Sequence, residues 1–169
     1  LYWTGIREGE LLSLTPADFN FEKKTLRINK SYQRLEGEDV ITDLKTPKSN
    51  RTIVMSDFLA IEMEDFIKSI YGIKMNDRIF TISKSYLHHE MDRGAKLARV
   101  KRIRIHGLRH SHISLLINLG FSALAIGERV GHEAVDITYH YAHLFPTVQT
   151  DMAAQLETER EALVNVRKK

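Results

Sequence analysis

The chain has 169 residues, enough for one domain with a proper core and too few for two comfortable ones. With 43% hydrophobic and 28% charged residues its composition is that of an ordinary globular domain, and no apolar run is long enough to span a bilayer. Cysteine is absent, which removes disulfides, thiolate nucleophiles and cysteine metal ligands together.

Leu1-Tyr2-Trp3 reads as the tail of an apolar helix and the first residue is not Met, so the chain is expected to be a piece of a longer protein. A short helix is expected over Arg7 to Ser13, followed by Thr15-Pro16 as a cap with proline at the first helical position. Thr25–Gln33, Val40–Thr46 and Arg51–Met55, separated by the turns Glu36-Gly37-Glu38-Asp39 and Pro47-Lys48-Ser49-Asn50, predict a three-stranded antiparallel meander. Ser56-Asp57 caps a helix to about Tyr71, where Phe58, Ile61, Phe66 and Ile70 recur at helical spacing. Ser83 or Ser85 caps another, to about Val100. Further helices are predicted over His106–Leu119, ended by Gly120; over Ser122–Val130, ended by Gly131; over Asp136–His143; and over Thr147–Val164. The class is mostly α with a small three-stranded antiparallel β-sheet, folded as a single domain.

Net charge is only +3, but it is unevenly spread. Between Arg93 and Gly127 stand Arg93, Lys96, Arg99, Lys101, Arg102, Arg104 and Arg109, with no Asp or Glu. That is the electrostatic footprint of a surface that meets nucleic acid, or else a solvated face whose counter-charges come from elsewhere in the fold. His106, Arg109 and His110 lie at i, i+3 and i+4, at the top of a stripe continued by Ile113, Leu116 and Ile117. A buried arginine is costly unless an anion meets it. Its partner is either a bound phosphate, whose oxygens match the guanidinium fork, or a carboxylate such as Glu10 or Glu128. A zinc site at His106 and His110 with His112 nearby is the competing reading, but no Glu lies between the two and Arg109 would set a cation beside the metal.

His106-Gly107-Leu108-Arg109-His110 resembles the His-x-x-Arg-(His) box of tyrosine recombinases. Thr4-Gly5-Ile6-Arg7-Glu8-Gly9-Glu10-Leu11 resembles that family's first arginine box. Gly131-His132, Tyr141 nine residues later and then His143 resemble its closing motif. Order, type and spacing agree from Thr4 to His143. Gly107 stands where Asp is common and Val130 where Leu usually precedes Gly-His; neither is a catalytic position.

The resemblance implies the catalytic-domain fold of DNA breaking-rejoining enzymes, with the family's other DNA-clasping domain lying before Leu1. It implies site-specific recombination of a mobile element, in which Tyr141 attacks the scissile phosphate and leaves the 3′ end joined to the phenol. Arg7 and Arg109 would hold the two non-bridging oxygens, His106 would orient the phosphate and assist proton transfer, and His132 would add a hydrogen bond. The acid for the 5′ oxygen would be a hairpin lysine, Lys45, with Lys48 as second choice. Lys48, Arg99, Lys101, Arg102 and Arg104 are candidate contacts to the DNA backbone.

The resemblance implies no metal and no cofactor, double-stranded DNA as partner, and cytoplasmic, DNA-associated work without a membrane. The terminal helix, through Val148, Met152, Leu156 and Leu163, would dock on a neighbouring protomer of a tetramer. Two rivals share the resemblance: a non-catalytic DNA-binding relative and a type IB topoisomerase-like enzyme that nicks and reseals. Tyr139 competes with Tyr141, but lies about 200° away around a helix at 100° per residue, and the spacing from His132 selects Tyr141. Tyr139 is expected to pack, Glu10 to orient an arginine or cap backbone groups, and His88, His89, His112 and His140 to be surface or partly buried histidines.

Overall fold

A computed structural model describes residues 1–44, 46–132, 134–141, 144, 152–154, 156–158 and 160. Helix α1 (Glu8–Leu12) opens where the Arg7 amide donates to Glu10 Oε2 at 2.8 Å. The next turn, a 3₁₀ segment at Pro16–Asp18, closes in the same way, with the Thr15 amide on Asp18 Oδ2 at 2.9 Å. Five strands follow: β1 (Phe19–Asn20), β2 (Thr25–Ile28), β3 (Lys30–Leu35), β4 (Glu38–Asp43) and β5 (Arg51–Val54). The helices are α2 (Asp57–Ser69), α3 (Lys84–Ala98), α4 (Ile105–Asn118), α5 (Ala123–Val130) and α6 (Ala134–Tyr141). Of the two caps offered for α3 it is Ser83 that serves, and Ser122, where a helix was expected to begin, caps α5, their hydroxyls accepting from the amides of Tyr86 and Ala125. Among the described residues no helix is long and apolar enough to cross a membrane.

The three-stranded antiparallel sheet is present, but not as the meander expected. Its order is β1-β2-β5, and β3 pairs with β4 in a separate two-stranded ribbon. The predicted strand over Thr25–Gln33 breaks at Asn29. Before the break, Leu26 and Ile28 point inward and pair opposite Ile53 and Arg51. After it, the chain is held by other partners: Ser13 Oγ donates to the Lys30 carbonyl at 2.9 Å, and the Lys30 ammonium pairs with buried Asp18. These contacts draw β3 away from β5 and against α1.

Two apolar clusters result. One joins the sheet to α2 through Ile6, Leu26, Ile28, Ile53, Met55 and Ala60, among others. The other binds α4, α5 and α6 through Ile113, Ile117, Ile126, Val130, Ile137 and Tyr141. Between them runs a polar seam of buried or half-buried side chains: Glu10, Arg51, Arg109, His112 and Arg129. Of the helix predicted over Thr147–Val164, the described residues are helical, with Met152 and Leu156 exposed. Val148 and Leu163 lie outside the described residues.

Candidate active site

Glu10 is the hub of the seam. It is fully buried, and its carboxylate accepts from Arg7 Nη1 at 2.9 Å, Arg51 Nη1 at 3.1 Å and Arg51 Nη2 at 2.9 Å. Burial alone would raise its pKa, but the hydrogen bonds and charge of Arg51, then those of Arg7, hold it below the usual carboxylate value. The orienting role expected for Glu10 fits this geometry. Its second arginine, Arg51, was not anticipated. Arg51 also donates to the Ser49 carbonyl at 2.9 Å and the Arg129 carbonyl at 2.8 Å, tying the hairpin turn to the end of α5.

Arg109 is 1% exposed, and its hydrogen-bond partners among the described residues are not the carboxylates expected for it. Its fork grips main-chain oxygens: Nη1 on the Gly5 carbonyl, and Nη2 on the Val130 carbonyl at 2.5 Å. Its Nε is buried and has no partner among the described residues. Burial, then the charge of nearby Arg7, lowers its pKa to about 9, so it stays a cation at neutral pH. Gly5, with φ at +67°, is packed so tightly that an added Cβ would lie 2.5 Å from His112 Cδ2. Gly131 ends α5 at φ +68°, where a Cβ would meet Arg51 Nη1 at 3.0 Å and the Lys48 carbonyl at 3.2 Å. The side chain of His132 is thereby set beside the arginines. Burial and the charges of Arg109 and Arg7 push its pKa down to about 4, so it is neutral at pH 7.

A cleft of about 490 Å³ opens beside this cluster, with Arg7, Glu10, Lys48, Gly131, His132 and Asp136 in its walls. His106, Arg109 and Tyr141 do not line it. Arg7, Arg109, His106 and His132 are nonetheless one electrostatic neighbourhood: His106 is held below its usual pKa by burial and by the charges of His110, Arg109 and Arg7. Tyr141 packs into the α4–α6 cluster at 8% exposure, its hydroxyl hydrogen-bonded to His110 Nδ1. Burial raises its pKa and Arg109 opposes that rise. Tyr139, two residues earlier, is 80% exposed rather than packed, which its opposite helix face explains.

Lys45 and His143 lie outside the described residues. In the basic stretch, Arg102 pairs with Asp92 at 2.6 Å and Arg93 with Glu90 at 2.6 Å, so part of its charge is answered by carboxylates just upstream. Lys96, Arg99, Lys101 and Arg104 are exposed. His112, expected as a surface or partly buried histidine, is instead buried under Gly5 and accepts from Arg129 Nε at 3.1 Å. His110 is the partner of the tyrosine that spacing alone did not single out. The signal was present in its i+4 position from His106, whose ring it meets edge-on at 4.7 Å. Among the described residues no three His, Asp or Glu side chains cluster so as to hold a metal.

Residues 1–147 match the phage integrase family. The ICEBs1 integrase of Bacillus subtilis (strain 168) is 29% identical over 170 residues, covering 92% of this chain and 46% of that protein. The integrase of Staphylococcus phage L54a is 30% identical over 172 residues, covering 91% and 49%. The chain therefore spans about half the length of these relatives. Among solved structures, the Tn1549 transposon integrase in complex with circular intermediate DNA aligns with a TM-score of 0.71 at 21% identity, over 95% of this chain and 57% of that one. The XerH site-specific recombinase bound to difH substrate aligns with a TM-score of 0.63 at 25% identity, over 90% and 43%. The motif order, the helical scaffold that gathers it and the match over residues 1–147 agree: this chain belongs to the phage integrase family and has the catalytic-domain fold of tyrosine recombinases.

Proposed function

We propose that the chain is the catalytic domain of a site-specific DNA recombinase that cuts and rejoins strands through a 3′-phosphotyrosyl bond at Tyr141, integrating or excising a mobile element. The observation that supports this most is the charge imbalance at the seam. Three guanidinium groups, of Arg7, Arg51 and Arg109, lie close to one buried carboxylate, leaving an excess of positive charge beside the Nε of Arg109, which has no partner among the described residues. A phosphodiester is the anion that such forks fit. Arg7, whose side chain is 35% exposed, and Arg109 would bind the non-bridging oxygens. Neutral His132 would donate a hydrogen bond, His106 would orient the phosphate, and Lys45, with Lys48 as alternative, would protonate the departing 5′ oxygen. Arg99, Lys101 and Arg104 would contact backbone phosphates, and Arg102 as well if DNA displaces Asp92.

The two relatives named above are a bacterial and a phage integrase, which fits work on DNA in the bacterial cytoplasm. On DNA the chain would act as a tetramer, its terminal helix seated on a neighbouring protomer. Exposed Met152 and Leu156, at i and i+4, support that reading. Hydrodynamic size on DNA with and without residues 147–169 tests it.

The cleavage reading is tested with the full-length protein and nicked DNA carrying the site that it protects. On a denaturing gel a protein–DNA adduct is expected that persists in chelator and disappears in Tyr141→Phe. Loss of the adduct in Tyr139→Phe instead, or chelator-sensitive cleavage without an adduct, overturns it.

A further inference from the structure

We infer that His110 is the group that takes the phenolic proton as Tyr141 attacks phosphorus. This rests on the strand-cleavage reading and adds a catalytic residue to it. A tyrosine with an ordinary pKa near 10 is almost wholly protonated at neutral pH, and burial of Tyr141 makes the phenolate harder still to form. Something in contact with the oxygen must accept the proton. Among the described residues, the group hydrogen-bonded to the Tyr141 hydroxyl is His110 Nδ1, reaching across from α4 to α6. The rings are tilted with centroids 5.9 Å apart. His106 meets the ring of His110 edge-on.

The pair also has the topology that proton transfer needs. Tyr141 is buried and His110 is exposed, so the imidazole connects an enclosed phenol to solvent. Among the described residues, Arg109 on α4 acts on Tyr141 and His106 on α4 interacts with His110; His106 in turn feels Arg7 before α1, and His132 after α5 interacts with His106, Arg109, Arg7 and Asp136 on α6. The fixed charge of Arg109 favours the phenolate as it forms.

In the step itself the Tyr141 Oη–P bond forms and the P–O5′ bond breaks. The phenolic proton passes to His110 Nδ1, which must be unprotonated, so the neutral ring carries its hydrogen on Nε2. The departing 5′ oxygen is protonated by the hairpin lysine. On religation the imidazolium returns its proton to the phenolic oxygen as the 5′-hydroxyl attacks the phosphotyrosine.

The test is the single-turnover rate of adduct formation by the full-length protein at saturating nicked DNA, followed from about pH 6 to 9. His110→Ala is expected to slow the reaction by roughly 10²–10⁴ at neutral pH, with DNA affinity unchanged. The deficit should narrow as pH rises and the phenol ionises unaided, and added imidazole should restore part of the rate. His110→Asn, which keeps a hydrogen-bonding group but cannot carry the proton, should fold and share the defect if His110→Ala does not fold. A 5′-bridging phosphorothiolate, whose leaving group needs no acid, should not rescue either variant. A deficit that is constant with pH, rescue by the phosphorothiolate, or the pH-dependent deficit appearing in His106→Ala and not at His110 overturns the inference. Adduct retained by Tyr141→Phe would overturn the cleavage reading itself, which is a separate result.

Discussion

Replacing Glu10 by Gln keeps the shape of the hub and removes its charge. In place of four accepted hydrogen bonds, from the Arg7 amide, Arg7 Nη1 and both Nη atoms of Arg51, the amide offers one oxygen and turns an NH₂ toward guanidinium donors. Removing one partner of a buried ion pair costs about 3–5 kcal/mol. The Arg7 side chain is 35% exposed, so water screens much of its share, whereas that of Arg51 is 6% exposed. The lower end, about 3 kcal/mol, is therefore expected.

For a domain of this size that is a fall in melting temperature of roughly 6–12 °C, read by circular dichroism at pH 7. Because the carboxyl of Glu10 is held below its ordinary value of 4.5, its contribution is present above that pH and lost as pH falls through the folded-state value. The gap between wild type and Glu10→Gln should thus close on acidification. Combining it with Arg51→Met should cost less than the two single changes added together. A melting temperature within about 2 °C of wild type, or strict additivity with Arg51→Met, refutes the hub.

Gly5→Ala forces a Cβ to 2.5 Å from His112 Cδ2 and 3.1 Å from Val130 Cγ1 at a left-handed backbone, so a loss of at least about 2 kcal/mol is expected as a lower urea midpoint. His112, whose pKa burial and then Arg129 depress to about 4, is neutral in the folded state but titrates near 6.5 when unfolded. Stability should fall between those two values on acidification, by about 3 kcal/mol. His112→Gln should flatten the profile of denaturation midpoint against pH, leaving the like contribution of His132. Arg109→Lys cannot span the Gly5 and Val130 carbonyls, so both a lower melting temperature and an adduct yield reduced at least 10²-fold are expected.

Helix ends were readable because their signals are local: Ser83 and Ser122 at the caps and Gly131 past the end of α5 lie where the chain pattern puts them. The site motifs were readable for the same reason, since His106, Arg109 and His110 share a face by spacing alone. What spacing does not carry is the partner. The acceptors of Arg109 lie 104 and 21 positions away, and Arg51 is 41 positions from Glu10. Strand pairing failed likewise: β2 and β3 read as one alternating strand until the contacts of Lys30 with Ser13 and Asp18 separate them. The full depth of His112 was not legible because a histidine in a polar stretch gives no hint that Gly5 lacks a side chain above it.

The guanidinium of Arg109 is anchored to carbonyls, not to side chains. An acceptor of that kind survives any substitution that preserves the path of the chain. Val130 stands where the family commonly has leucine, yet what it gives Arg109 is a peptide oxygen that either residue supplies. The posture of this arginine is therefore inherited from backbone course, and a substitution disturbs it only by moving the carbonyls of residues 5 and 130, as a side chain at Gly5 would.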